Sequence, residues 1–239
     1  MVSLFRYGLW HSSAALVLIV FGCTLSASAI AHGIADKDAA FVTQSAGAHI
    51  VPFLYLGAKH MVTGYDHLLF LFGVVFFLYR LKDVVTYVTL FSLGHSTTLL
   101  IGVLAGVHVS AYLVDAFIGL SVVYIVFDNL GGFRSVFGFQ PNTKLAVLAF
   151  GLVHGFGLAT KVQELSPNAD GLVANIIAFN VGVELGQLLA LSAVLVAMVW
   201  WRRTRSFSRF ATITNFVVLI AGFALAEYQL AGYFLNKGA

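Results

Sequence analysis

The chain has 239 residues, 60% of them hydrophobic and only 10% charged, with a formal net charge of +3. Soluble domains carry about 25% charged residues, so a soluble globule of this length could not cover its surface. The basic residues lie in short clusters between apolar runs, where membrane topology accounts for them and a nucleic-acid partner is not implied.

The first segment reads as a signal peptide over residues 1–31. Arg6 is the only charge before Asp36, residues 14–25 form an apolar core, and two overlapping A-x-A sites follow at Ala27-Ser28-Ala29 and Ala29-Ile30-Ala31. An uncleaved first membrane helix is the alternative. Use of the second site would leave His32 at the mature N-terminus, where its α-amino and imidazole nitrogens could chelate a metal. The single cysteine, Cys23, lies in this segment, so neither a disulfide framework nor a thiolate zinc site is available.

Residues 32–63 read as an outer segment containing a short interfacial helix or re-entrant stretch. Pro52 and Gly57 interrupt the apolar run there, which is too short to span. Residues 64–239 read as a six-helix transmembrane domain. Its spans lie near 64–80, 83–107, 110–130, 143–163, 171–201 and 208–234, each near the ~20 residues a bilayer requires. The expected fold is therefore an all-α integral membrane bundle. An exported N-terminus places Arg80, Lys82, Arg134, Lys144, Arg202, Arg203, Arg205 and Arg209 inside, with Lys37, Lys59, Lys161 and Lys237 outside. This charge bias follows the positive-inside rule and predicts a multi-pass bacterial inner-membrane protein with both mature termini outward.

Several ionisable residues fall where lipid penalises them by about 3 kcal/mol on insertion scales, so each requires a partner or a role. His60, Asp66 and His67 form an H-x5-D-H pattern at the outer end of the first span. A continuous helix puts the two histidines on one face, whereas a break at Gly64 folds them toward each other. Two imidazoles and a carboxylate suit nickel, cobalt, zinc or copper, and Asp66 could instead orient an imidazole. In the second span Thr86, Thr89, Ser92 and Ser96 form a hydroxyl stripe beside His95, read as a polar path. In the fourth, Gly151 and Gly155 let another helix approach close to His154. In the fifth, Asn180, Glu184 and Gln187 share one face, while Gly182 and Gly186 offer a packing surface. A partnerless Glu184 would protonate, and a cation or a histidine would keep it ionised. Asp115, Asp128, Glu227 and His108 lie near the predicted membrane surfaces, where a solvated charge needs no further explanation.

The H-x5-D-H pattern resembles a signature of the HupE/UreJ membrane proteins. That family's second signature, roughly F-H-G-x-A-H-G-x-E, is met at residues 149–157 by Gly151, His154 and Gly155, with Phe150 and Gly157 replacing a histidine and an acid. The segments G-H-S-x-T-L and F-N-x-G-V-E-x-G-Q, here starting at Gly94 and Phe179, are similar to those of the family's divergent branch. The resemblance implies a permease for nickel or cobalt, linked to metalloenzyme maturation, in which His95 and Glu184 supply ligands in place of those replaced.

These readings lead to an expected secondary transporter for a divalent transition metal, nickel or cobalt first, with zinc, copper or iron left open. His60, Asp66 and His67 would capture the ion; His95, His154 and Glu184 would hold it, with Asn180 and Gln187 supporting. No P-loop or other nucleotide motif is present. The alternatives are a membrane metalloenzyme using the same residues and a metal sensor or accessory subunit. The expected partners are the lipid bilayer and the metal substrate, with a homo-oligomer or metalloenzyme-maturation proteins left open.

Overall fold

The computed structural model describes residues 41–43, 46–76, 78–164 and 169–236. The expected signal peptide, its cleavage sites and His32 lie outside the described residues. Apolar runs without water to bond their backbone must satisfy it within the segment, and they fold here as helices. These are α1 (Ile50–Thr63), α2 (Tyr65–Val75), α3 (Leu81–Ala105), α4 (Ala111–Asn129), α5 (Thr143–Glu164), α6 (Leu172–Arg202) and α7 (Arg205–Asn236), with a π-helical turn at Phe133–Phe137 between α4 and α5. No strand occurs among the described residues. The five helices α3 to α7 are long and apolar enough to cross a membrane. Large apolar side chains such as Leu189, Val196, Ile213 and Ile220 are exposed on their outer faces, as lipid contact requires.

The first span departs from the hydropathy reading. Over the expected 64–80 the helix is α2, which ends at Val75, and it follows α1 across a break at Gly64, whose ψ of 102° is extended. The Gly64 N–H still donates to the His60 carbonyl, and Leu68 N–H to the Gly64 carbonyl, each at 3.0 Å, so the backbone turns with little loss of pairing. Nor does α1 stand apart as an outer segment. It lies along α6 and buries Phe53, Leu56, Gly57 and Met61. Pro52 falls in its first turn, where the missing N–H costs nothing.

Three helix pairs carry most of the packing: α1 with α6, α3 with α5, and α4 with α7. Lipid tails are as apolar as leucine, so helices associate in a membrane through close van der Waals fit, which small residues permit. A Cβ on Gly57 would strike the Phe179 carbonyl, and one on Gly182 the Leu54 carbonyl; on Gly186 it would stand 2.6 Å from the Ala58 oxygen. The α3–α5 pair is built the same way. A Cβ on Gly94 would sit 2.5 Å from the Leu148 oxygen, and those on Gly151 and Gly155 would meet the Phe91 and His95 carbonyls. The close-packing role read for Gly151, Gly155, Gly182 and Gly186 is thus seen in the fold.

The two ends of the bundle are tied differently. At the end carrying Arg80 and Arg134, the Arg202 guanidinium donates to the carbonyls of Leu78 (2.6 Å), Val75 (2.9 Å) and Phe76 (2.5 Å), and Asn129 Nδ2 donates to Gly73 O (2.8 Å). The last carbonyls of α2, which a helix leaves unpaired, are capped by two other helices. Arg202 also stacks over the Tyr79 ring at 4.2 Å. At the opposite end, His49 N–H donates to Asn175 Oδ1 at 2.7 Å, and Gln163 Nε2 donates to Gly102 O at 2.8 Å.

Asp115, also at that end, corrects a sequence reading. It is a buried residue of α4 rather than a solvated surface charge, and its Oδ2 accepts from Lys161 Nζ of α5 at 3.3 Å. Asp128 is also engaged, accepting from Gln140 Nε2 and, at 2.8 Å, from Thr143 Oγ1. His108 and Glu227 are exposed, as expected of surface groups.

Candidate metal pathway

The break at Gly64 brings the two histidines that flank it face to edge. Their ring centroids lie 5.2 Å apart with planes at 71°. Of the two arrangements open in the sequence, the folded one is realised. His67 then reaches α5, with its ring 5.5 Å from that of His154 at 79°. His154 is the twelfth of the 22 residues of α5, so the histidine pair sits level with the middle of a full span rather than at its outer end. His60 packs in turn on Phe179 of α6, with centroids 6.0 Å apart.

His95 joins through an aromatic ring. Phe91, one turn earlier on α3, stacks on His95 at 6.1 Å and 17° and meets His154 edge-on at 4.9 Å. The glycine contacts of α3 and α5 bring these two helices close enough for that. Phe70 of α2 closes the group, 5.7 Å from His154 and 5.5 Å from Phe91. His67, His95 and His154 are buried, at 7%, 1% and 2% exposure, inside a ring of phenylalanines.

Both ring nitrogens of His95 are buried and have no hydrogen-bond partner among the described residues. The same holds for Gln187 Nε2 and Asn180 Oδ1. An unmade hydrogen bond at a buried polar atom costs about 1–3 kcal/mol, so such atoms gathered near mid-membrane are a standing expense that a bound group would relieve. Gln187, wholly buried, is anchored by its other end, where Oε1 accepts from Ser92 Oγ at 3.2 Å. Ser92 is one turn before His95 on the hydroxyl stripe. Thr86, on the same stripe, instead donates to its own helix at Lys82 O.

The histidines form a series rather than a cage. Among the described residues no three His, Cys, Asp or Glu side chains converge as a ready metal-binding group. Glu184 is half-buried on α6, one turn before Gln187, and the described contacts do not bring it to the histidines. The Asp66 side chain lies outside the described ones. The nitrogen-rich, thiolate-free donor set is nonetheless the kind that borderline divalent metals accept.

The family whose members are described as HupE / UreJ protein matches the chain over residues 36–237. The chain belongs to the HupE/UreJ family. No curated protein and no solved structure matches it. Membership covers nearly all of the helical bundle and places the chain among multi-pass membrane proteins with a metal transport or accessory role. Within this HupE/UreJ chain, sequence reading missed two groups: the phenylalanine ring of Phe70, Phe91 and Phe150, and the clamp of Arg202. The phenylalanines look like ordinary apolar filler in a hydropathy profile. Arg202 looks like any topology-setting cation.

Proposed function

We propose that the protein is a secondary transporter for a divalent transition-metal ion, with nickel or cobalt as substrate, that moves the ion along the histidine series. The observation that carries this reading is His95: a mid-span imidazole, 1% exposed, with both nitrogens lacking a hydrogen-bond partner beside a line of three further histidines. A purely structural histidine would pair at least one nitrogen with a neighbouring helix.

In this reading His60 and His67, with Asp66, take the ion where α1 ends. His154 and His95 receive it in turn. Glu184, Asn180 and Gln187 support from α6. Sites in series, each weak, let an ion enter and leave, which a closed cage would prevent. Discontinuous helices with a midplane site recur among secondary transporters for the same reason. The orientation that goes with this has residues 76–80, 130–142 and 203–204 on the cytoplasmic side of the bacterial inner membrane and both mature termini outside.

The test is uptake of radioactive nickel and cobalt into cells expressing wild type, His67→Ala, His95→Ala and Glu184→Ala at matched membrane abundance. Uptake above background that the histidine variants abolish supports the permease. Stoichiometric metal on the purified protein without any flux would overturn it and turn attention to a metalloenzyme or an accessory metal-binding subunit.

A further inference from the structure

Directly beyond the histidines, toward the basic end, lies a slot lined by Phe70, Val74, Leu78, Tyr87, Val88 and Phe91, with Gln187 at its upper edge. Its volume is about 10 Å³. A cavity must offer roughly 10–15 Å³ and two to four polar partners to hold one water. The slot is at the lower limit of the first, and of its lining residues only Tyr87 and Gln187 carry a polar side-chain group, so it holds water poorly. Phe70 and Phe91 form its ceiling and are the same rings that touch His154. Below, three of its lining residues (Val74, Leu78 and Tyr87) also line a larger cleft of about 330 Å³. That cleft is bordered by Asp128, Asn129, Gln140 and Thr143.

The poorly wetted stretch on α3 runs from Phe91 to Val84, seven residues or about 10 Å along the helix axis. An ion leaving His95 or His154 toward the basic end meets no imidazole or carboxylate along that distance, only the Tyr87 hydroxyl and the Gln187 amide. An ion that reaches the cleft meets the Asp128 carboxylate and room to recover water.

We propose that the collar of Val74, Leu78 and Tyr87, with Phe70 and Phe91 above it, is the closed inner gate of the transport route, and that the Asp128 cleft is the vestibule into which the ion is released. This rests on the permease reading. A narrow apolar passage blocks ions by excluding water, without needing a steric plug. The structure therefore represents a state closed to the basic end, and opening requires the collar to widen enough to admit water.

The experiment reads water access directly, so it does not depend on flux. In a Cys23→Ser background, single cysteines are placed in the cleft (Thr143→Cys) and in the slot (Val88→Cys). Sealed vesicles are treated with a membrane-impermeant maleimide from the face that carries residues 130–142. Thr143→Cys should label rapidly, and Val88→Cys at least an order of magnitude more slowly. Adding Leu78→Ser, whose side chain lines both spaces, should raise the Val88→Cys rate several-fold. Equal labelling of the two sites, or a rate indifferent to Leu78→Ser, would overturn the gate. Nickel uptake by the same vesicles separates the two claims. The expected labelling without uptake keeps the collar and removes the permease, whereas uptake through a wet slot does the reverse.

Discussion

The imidazole of His67 stands edge-on to that of His154, with ring centroids 5.5 Å apart, and so joins the broken first span to the middle of α5. If the two rings share an ion, their contributions to binding are coupled. His67→Ala and His154→Ala should each weaken nickel binding to the purified protein by at least about tenfold, the usual cost of disturbing a metal's immediate surroundings. The double variant should lose less than the sum of the two, because neither ring can serve the shared ion alone. Isothermal titration of the four proteins measures this, and strict additivity would place the rings on separate ions.

The α1–α6 seam predicts a sharp size limit. Gly182→Val would force a side chain into the Leu54 carbonyl, and overpacking of this kind costs about 1–3 kcal/mol or more. Gly131 offers a contrast, since a Cβ there meets nothing within 4 Å and only its φ of +71° resists substitution. Gly131→Ala should cost about 1–2 kcal/mol from backbone strain alone. Thermal unfolding in detergent, followed by circular dichroism, should rank Gly182→Val as the more damaging.

Arg202 should not tolerate lysine. Its forked guanidinium serves three carbonyls at once, a geometry that a single ammonium cannot reproduce. Arg202→Lys should therefore destabilise nearly as much as Arg202→Gln, by about 1–3 kcal/mol for the carbonyls left unmet. A lysine variant that unfolds at the wild-type temperature would show that only the charge matters.

The Asp115–Lys161 pair carries a different signature. Removing one member of a buried ion pair strands the other, at about 3–5 kcal/mol, while replacing both with apolar side chains is often neutral. Lys161 retains 22% exposure, so the cost of Asp115→Ala should fall at the low end. Asp115→Leu with Lys161→Met should recover most of it in the same unfolding assay.

Hydropathy and charge located the five long helices closely. The expected 143–163 is Thr143–Glu164, and the expected 171–201 is Leu172–Arg202. Those segments are apolar throughout, so their limits follow from what lipid will accept. The start of α2 was also placed to within a residue, but the packing of the segment before it was not, because Pro52, Gly57, Lys59 and His60 lower any window average there. Pro52 lies in the first turn of α1, Gly57 seats against α6, and His60 is oriented by the break at Gly64. Each is favourable for a reason only the neighbouring helix supplies. The histidines were legible as improbable residues in apolar runs. Their order along a line, and the phenylalanines between them, depend on how α2, α3 and α5 pack, which no single segment encodes. The Asp115 ion pair was hidden likewise, since its partner is 46 positions away.

Both halves of the broken helix are fastened to the same long strut. α1 is locked to α6 through Gly57, Gly182 and Gly186, and the tail of α2 hangs from Arg202 at the far end of α6. A 31-residue helix thus splints a discontinuity that would otherwise behave as a loose joint. Swinging α2 alone would tear three hydrogen bonds from Arg202, whereas displacing α1, α2 and α6 together keeps those and gives up the Asn129 bond to Gly73 and the Ser92 bond to Gln187. The α3–α5 pair has its own backbone lock. Any large motion is therefore easiest along the surface between these two rigid sets, and that surface is where the histidines lie.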